Sequence, residues 1–253
     1  MTVGANLGRF AARPVADGGT PVGAWTAWGR RFDELDLAGC PALIVVAPHP
    51  DDETLGLGAT MATLAARGIA VDVVCASDGG AAYPGLGEGE RADLEITRRS
   101  ELDCATKLLG VTEPIRLGLP AGRLPEHEAE ITAALRGLLS QRPAGTWCAG
   151  TWRGDGHPDH EAVGRAVLAA VQGNTALALQ YPVWMWHWAA PDDPAVPWEH
   201  ARRMTVTGEA LERKAAAVNC FRSQTGSGPG GAAAIVPPFA LERLMTLGEL
   251  VFL

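Results

Sequence analysis

The sequence predicts an α/β fold with a Rossmann-like, mostly parallel sheet and helices on both faces. Short apolar segments alternate along the chain with longer segments whose small and apolar residues recur at helical spacing, and glycine or proline separates the two kinds. No internal repeat, heptad run or Ser/Gly linker divides the 253 residues. We therefore predict one domain over 1–253, with 1–40 as an N-terminal extension that is a loose leader followed by a short packed helix.

The first strand, helix and strand are adjacent in the sequence. Residues 42–47 (ALIVVA) form an apolar run that ends at a proline, which is typical of a strand buried on both faces. Residues 56–67 have helical spacing and stop at Gly68, a common helix C-terminal signal. Residues 69–75 (IAVDVVC) predict a second strand, so the three segments together indicate a βαβ unit.

The same alternation continues toward the C-terminus. It predicts helices over 91–109, 126–141 and 160–171, strands over 114–117, 146–150 and 176–183, and a final element over 239–253. Repeated strand-helix alternation favours an open parallel sheet whose ligands bind at the carboxyl ends of the strands.

Composition narrows the possible partners. The chain carries 21 Lys and Arg against 29 Asp and Glu, a formal charge of −8, which excludes the broad basic surface that nucleic acid requires. No apolar run approaches the roughly 20 residues of a membrane helix. The five cysteines are widely spaced and contain no CxxC pair, so we expect reduced thiols and a cytoplasmic protein.

One imidazole and three consecutive carboxylates follow the first predicted strand, in the segment APHPDDE at 47–53. An aspartate and the histidine can ligate a metal ion while the neighbouring aspartate stays unbound and acts as a base. The alternative is an ordinary helix start, because acidic residues are favoured in a first turn.

A second cluster, GHPDH at 156–160, follows the strand predicted at 146–150. Its two histidines can supply a third metal ligand and a second polarising imidazole held by a carboxylate. A polar loop with a capping aspartate would explain this cluster alone. Because both clusters are expected at one edge of the sheet, we predict a metal site there. A nucleotide-binding Rossmann enzyme is disfavoured, since no GxGxxG follows the first strand.

With these two motifs the sequence resembles the LmbE-like (PIG-L) family of zinc-dependent N-deacetylases. Further likeness lies in RRSEL at 98–102 with Leu109-Gly110, and in Lys214 with Ser223-Gln224, so it spans roughly residues 42–253. The family includes deacetylases of N-acetylglucosaminyl inositol compounds, of bacillithiol and mycothiol precursors, of chitooligosaccharides and of glycopeptide antibiotic intermediates.

The resemblance implies a role for each motif residue. The zinc ligands would be His49, Asp52 and His160, which leaves positions for water and the amide carbonyl. Asp51 would be the general base. His157 would stabilise the oxyanion or protonate the leaving amine, with Asp159 orienting its ring. Zinc itself rests on the resemblance, because such a ligand set also accepts Fe²⁺, Co²⁺ or Mn²⁺.

Other residues are candidates for substrate contact or for structure. Asp78 and Gly79 follow the second predicted strand and would contact a sugar hydroxyl, although a turn explains them equally well. Trp184 belongs to a tryptophan-rich segment that would either stack on a sugar ring or apolar aglycone, or pack as a strand. Arg98 and Glu101, one helical turn apart, are expected to pair on a helix face.

We therefore predict a zinc-dependent hydrolase that removes an N-acetyl or short N-acyl group from an amino sugar or a GlcNAc-containing glycoside. The products would be a free amine and a carboxylate. The same chemistry on a non-sugar amide or secondary metabolite, and a non-catalytic metal- or ligand-binding relative, stay open as alternatives. The predicted partner is the small-molecule substrate, with no nucleic acid and no membrane, and a homo-oligomer stays open.

Overall fold

The computed structural model describes residues 5–253, whose eight strands form one sheet. The strands are β1 (Asp33–Leu35), β2 (Ala42–Ala47), β3 (Ala70–Cys75), β4 (Ile115–Arg116), β5 (Trp147–Thr151), β6 (Leu177–Tyr181), β7 (Ala201–Met204) and β8 (Leu250–Phe252). Their order across the sheet is β1-β7-β8-β6-β5-β2-β3-β4. Only β8 runs antiparallel to its neighbours, so the predicted mostly parallel α/β fold is confirmed.

Helices connect most of these strands. They are α1 (Ala5–Ala11), α2 (Val22–Ala27), α3 (Asp52–Ala66), α4 (Glu88–Leu109), α5 (Glu128–Leu139), α6 (Pro158–Val171), α7 (Met185–Trp188), α8 (Gly208–Val218), α9 (Arg222–Thr225) and α10 (Pro238–Thr246). The tryptophan-rich segment after β6 is a short helix rather than a strand. Within residues 5–253, no helix combines the length and the apolar character that a membrane span needs.

The alternation of β2 side chains explains why helices cover both faces of the sheet. Leu43 and Val45 belong to an apolar cluster that also contains residues of α3, α4, α8 and α10. Ile44 and Val46 point to the opposite face and pack with residues of α5 and α6. Burial on both faces leaves the strand ends as the accessible part of the sheet, which is where a site can form.

The N-terminal extension is part of the packed structure from residue 5 onward. Its strand β1 joins the sheet by pairing with β7. The buried Trp25 in α2 donates its indole N–H to the carbonyl of Trp186 at 3.1 Å, and the Thr20 N–H donates to the carbonyl of His187 at 3.0 Å. The expectation of a loose leader is therefore wrong for residues 5–20, whereas the short packed helix expected after it corresponds to α2. Residues 1–4 of the predicted extension lie outside the described residues.

The cysteines depart from the expectation of reduced thiols. Cys104 in α4 and Cys220 just after α8 form a disulfide, with Cα atoms 6.0 Å apart and a separation of 116 positions in sequence. Spacing along the chain does not reveal this pair, because it depends on the packing of α4 against α8. The remaining cysteines are free and buried: Cys40, Cys75 and Cys148.

Candidate metal centre and active site

The two predicted motifs meet at one edge of the sheet. Strands β2 and β5 are parallel neighbours, so their carboxyl ends lie side by side. The loop after β2 and the start of α3 carry His49, Asp51 and Asp52, and the loop after β5 and the start of α6 carry the second motif. The structure brings the six residues predicted for metal binding and catalysis to one cavity: His49, Asp51, Asp52, His157, Asp159 and His160.

Three of these residues converge on a common point. His49, Asp52 and His160 each offer one ligand atom, and the three atoms lie within 4.8 Å of one another. Oδ2 of Asp52 is 3.3 Å from Nδ1 of His49 and 3.3 Å from Nε2 of His160. Within the described part of the chain, the buried Nε2 of His160 has no hydrogen-bond partner. A divalent cation fits here, because it would satisfy this orphaned nitrogen with the donor types that transition metals prefer.

Each histidine of this group is held by a carboxylate other than that of Asp52. Nδ1 of His160 donates to Asp155 at 2.8 Å, and Nε2 of His49 donates to Asp159 at 2.9 Å. Such carboxylate-histidine pairs fix the orientation and the tautomer of a metal-binding imidazole. The sequence interpretation missed Asp155, although an acidic residue between Gly154 and Gly156, just before the second motif, was a signal for it.

Asp159 does not orient His157 with its side chain, contrary to the role that the resemblance implied. Its carboxylate is bonded to His49 and accepts the backbone N–H groups of Gly122 at 2.6 Å and Leu124 at 3.1 Å. The backbone N–H of Asp159 instead donates to Nδ1 of His157 at 3.2 Å. The orientation of His157 therefore comes from the helix N-terminus, where His157 is the capping residue.

This backbone contact also sets the proton position on His157. Because Nδ1 accepts a hydrogen bond, the ring proton of the neutral imidazole lies on Nε2. Burial, together with the neighbouring imidazoles of His160 and His49, lowers the pKa of His157 to about 3. His157 is therefore a neutral hydrogen-bond donor that lines the cavity.

Asp51 occupies the N-cap position of α3, yet its side chain makes no capping hydrogen bond. The interpretation of the first motif as an ordinary helix start therefore does not account for this carboxylate, which lines the cavity instead. Burial, followed by the charge of Asp52, raises the pKa of Asp51 well above its usual range, while Arg98 opposes the shift. Its φ of 130° is strained for a residue other than glycine, as is common at functional sites.

Arg98 holds the Asp51 loop in place. This buried guanidinium donates to the carbonyls of Gly79 and Pro50, both at 3.0 Å, and lies 3.6 Å from the Asp51 carboxylate. The expected helix-face pair with Glu101 is wrong, because Glu101 accepts the backbone N–H and hydroxyl of Ser223 at 2.7 and 2.6 Å. The sequence pattern identified the residue but not its place at the site.

The first turns of α3 are supported from the far end of the chain. The helix is broken at Leu57 (φ −135°, ψ 21°), which leaves backbone groups without helical partners. Lys214 donates to the carbonyl of Leu55 at 2.7 Å and pairs with Glu249 at 2.9 Å. Glu249 accepts the N–H groups of residues 59–60, both at 2.7 Å. This buried pair therefore fixes the half-helix that carries Asp52.

The predicted substrate-contact residues do not all reach the cavity. The cavity has a volume of about 400 Å³, and Gly79 and Trp184 line it. Asp78 is outside the lining, with its carboxylate 3.4 Å from Arg99. In the tryptophan-rich segment Trp184 lines the cavity, so its contact with a substrate stays a prediction. Trp186 and Trp188 are buried in the core, but in a short helix and not in the strand that the packing interpretation expected.

The fold and this cluster define a class: a Rossmann-like α/β protein with a site for a divalent metal, made of two histidines and one aspartate, at the carboxyl ends of neighbouring parallel strands. The family model described as PIG-L, GlcNAc-PI de-N-acetylase, matches residues 44–171, about half of the chain. The chain belongs to the PIG-L family. The matched region contains all six clustered motif residues and Asp155.

Known proteins resemble the chain in sequence and in fold. It is 34% identical over 169 residues to a 1D-myo-inositol 2-acetamido-2-deoxy-alpha-D-glucopyranoside deacetylase of Mycolicibacterium gilvum, a match covering 58% of each chain. The chain thus spans little more than half the length of that relative. A conserved protein of Thermus thermophilus is similar in structure, with a TM-score of 0.53, 29% identity and coverage of 75% of this chain and 82% of that one.

A second solved structure shows the same fold at lower identity. It is the N,N'-diacetylchitobiose deacetylase of Pyrococcus horikoshii, with a TM-score of 0.56, 21% identity and coverage of 74% of this chain and 71% of that one.

Proposed function

We propose that this chain is a zinc-dependent N-deacetylase that hydrolyses the N-acetyl group of an amino sugar or of a GlcNAc-containing glycoside. One observation carries the proposal. The buried Asp51 carboxylate, which makes no capping hydrogen bond, and Nε2 of His160, which has no hydrogen-bond partner among the described residues, belong to residues that line the same cavity. Family membership and relatives named as deacetylases of acetylated amino sugars support it.

The residues present suit metal-assisted amide hydrolysis. A divalent metal held by His49, Asp52 and His160 would polarise the substrate carbonyl and make water more acidic. Asp51 takes a proton from the attacking water, whose oxygen forms a bond to the carbonyl carbon. The Asp51 side chain makes no capping hydrogen bond and lines the cavity, so its carboxylate is available to accept this proton.

His157 and Asp51 then act on the tetrahedral species. The Nε2–H of His157 donates to the carbonyl oxygen as negative charge develops there, a contact that is stronger in the transition state than in the bound substrate. When the C–N bond breaks, the proton held by Asp51 passes to the leaving nitrogen. The products are a free amine and acetate.

Amine release from a panel of compounds tests the proposal. The panel contains N-acetylglucosamine, its inositol and malate glycosides, N,N'-diacetylchitobiose and N-acetyl amino acids, and metal-free protein is reconstituted with Zn²⁺, Fe²⁺, Co²⁺ or Mn²⁺. We expect release from amino-sugar compounds, greatest with Zn²⁺. No release from any compound by metal-loaded protein would reject the activity.

Asp51→Asn provides the control for mechanism. We expect its kcat to fall about 10²–10⁴-fold, the usual contribution of a general base, with metal content unchanged. Asp93→Asn, an exposed change on α4, serves as the matched variant and should retain wild-type rates. Wild-type turnover by Asp51→Asn would show that another group accepts the proton.

A further inference from the structure

Most of the cavity wall is apolar away from the group formed by His49, Asp52 and His160, here called the metal cluster. Apart from the six motif residues, three lining side chains carry a hydrogen-bonding group. They are Arg98, which is bonded to two carbonyls and lies beside Asp51, Tyr83, whose hydroxyl donates to the carbonyl of Ser223 at 3.2 Å, and Trp184, which has a single indole N–H. The remaining lining includes the apolar residues Ala81, Ala82, Val183, Ile235, Val236 and Leu244. A sugar with many free hydroxyls would find few side-chain partners there, whereas a hydrocarbon group would be well matched.

The N-terminal extension supplies part of this wall. Residues 5–20 lie outside the region that the PIG-L family model matches, yet Phe10 and Val15 line the cavity. Phe10 stacks on Trp184, with ring centroids 5.3 Å apart and planes inclined by 30°, and its ring lies 6.5 Å from that of His157. Both aromatic side chains are half-buried, so part of each ring faces the cavity.

This wall is fixed in position. Asn6 donates to the carbonyl of Gly154 at 2.8 Å, and Arg9 pairs with Asp193 while its guanidinium lies 4.7 Å from the centre of the Trp188 ring. At Gly156, directly before His157, an added Cβ would lie 2.8 Å from Cβ of Phe10. Helix α1 therefore sits in contact with the loop that presents the catalytic histidine.

Arg13 and Arg243 secure the rest of the segment. Arg13 donates to the carbonyl of Trp188 at 3.2 Å, and Arg243 donates to the carbonyls of Gly18 and Thr20 at 2.7 and 2.9 Å. These contacts tie residues 13–20 to α7 and α10, so the Phe10 ring is held over the cavity by anchors on both sides of it.

We propose that Phe10 and Trp184 bind a hydrocarbon group of the substrate, so that the preferred substrate is an N-acylated amino sugar carrying an alkyl or aryl group. This inference rests on the proposed function and names its substrate class. The hydrocarbon is either the substituent on the anomeric oxygen or the acyl chain itself. In both cases the amide lies at the metal cluster and the apolar group against the two rings.

Three synthetic compounds separate these cases. The methyl glycoside of N-acetylglucosamine has no long hydrocarbon, the octyl glycoside of N-acetylglucosamine carries one on the anomeric oxygen, and the methyl glycoside of N-octanoylglucosamine carries one in the acyl group. We expect one of the two octyl-bearing compounds to exceed the plain methyl glycoside about tenfold in kcat/KM, mainly through a lower KM. Tenfold is the lower end of what burying an apolar side chain contributes. The favoured compound identifies the position of the hydrocarbon.

The preference is the ratio of kcat/KM for the favoured octyl compound to kcat/KM for the methyl glycoside of N-acetylglucosamine. Phe10→Ala should reduce this ratio about tenfold, and Phe10→Leu, which keeps an apolar side chain, should reduce it less. Phe32→Ala is the matched control, because this ring packs on Trp28 and Trp198 and lies outside the cavity lining. It should leave the preference at the wild-type value. Thermal unfolding of each variant verifies that it is folded.

A binding measurement keeps the two proposals distinguishable. Calorimetric titration of metal-loaded Asp51→Asn with the same compounds reports affinity without turnover. Equal dissociation constants for the three compounds would overturn the inference and leave the deacetylase activity unaffected. An unchanged preference in Phe10→Ala and Phe10→Leu would do the same. No turnover by wild type, combined with tighter binding of an octyl compound that depends on Phe10, would support the apolar subsite and overturn the proposed activity.

Discussion

Replacing Asp155 by asparagine tests how His160, a proposed metal ligand, is held in place. The fully buried carboxylate accepts four hydrogen bonds. One oxygen accepts the N–H groups of Val183 and Met185, both at 2.9 Å, and the other accepts Nδ1 of His160 at 2.8 Å and the N–H of Trp184 at 2.9 Å. An amide has a single accepting oxygen, so Asp155→Asn turns an NH₂ group toward two donors whichever way it is rotated.

The expected cost follows from these contacts. Hydrogen bonds to a charged group contribute about 1.5–3 kcal/mol each, so losing one or two should lower the free energy of unfolding by about 3 kcal/mol. For a chain of this size that corresponds to about 6–12 °C in Tm. With the amide NH₂ facing Nδ1, His160 would carry its proton on Nε2, the atom aimed at the metal. Metal affinity should therefore fall about 10–100-fold.

The assay combines calorimetric unfolding of the metal-free protein with competition for Zn²⁺ against a fluorescent chelator. Asp72→Asn is the matched control, since it removes a buried carboxylate bonded to Arg142 at 2.6 Å in β3, away from the strand ends that carry the metal cluster. It should lower Tm without changing metal affinity. Wild-type metal affinity in a destabilised Asp155→Asn would refute the reasoning that Asp155 sets the His160 tautomer.

Three further changes probe the metal ligand, the helix support and the disulfide. His160→Ala should lose more metal affinity than Asp155→Asn, measured as metal retained after dialysis; full retention would remove His160 from the ligand set. Glu249→Ala strands the buried Lys214 charge and should lower the free energy of unfolding by about 3–5 kcal/mol in urea titrations, whereas a change below about 1 kcal/mol would show that the pair is dispensable. Cys104→Ser opens a loop closed across 116 positions and should lower the free energy of unfolding by about 2–4 kcal/mol, giving the same Tm as reduced wild type. A wild-type Tm that does not change with reductant would exclude the disulfide.

Local patterns were sufficient for the part of the fold that positions the site. The predicted strand at 42–47 coincides with β2, and the predicted strands at 69–75 and 146–150 differ from β3 and β5 by at most one residue at an end. In this region hydrophobic runs and glycine stops lie within each segment. Helix α3 begins four residues before its predicted start, because the acidic residues of the first motif are themselves its first turn.

Contacts between distant segments were beyond the reach of the sequence pattern. Asp159 was assigned to His157 because the two are close in sequence, but its carboxylate bonds His49, 110 residues away. Arg98 and Glu101 were paired by helical spacing, whereas each has a partner on another element. Strands β7 and β8 are too short to show a clear alternation of apolar and polar residues. Their place in the sheet depends on pairing with neighbouring strands, which the local sequence does not reveal.

The position of β8 has a consequence for folding during synthesis. Strand β8 lies between β6 and β7, so β7 and its partner β1 connect to the rest of the sheet only through residues 250–252. The order β5-β2-β3-β4 can assemble as the ribosome proceeds, but β1 emerges early and has no bridge to the sheet until β8 is released. The pairing of β1 with the rest of the sheet therefore depends on residues 250–252, whereas Thr20 and Trp25 have partners in α7 that precede β8 by about 60 residues in the chain.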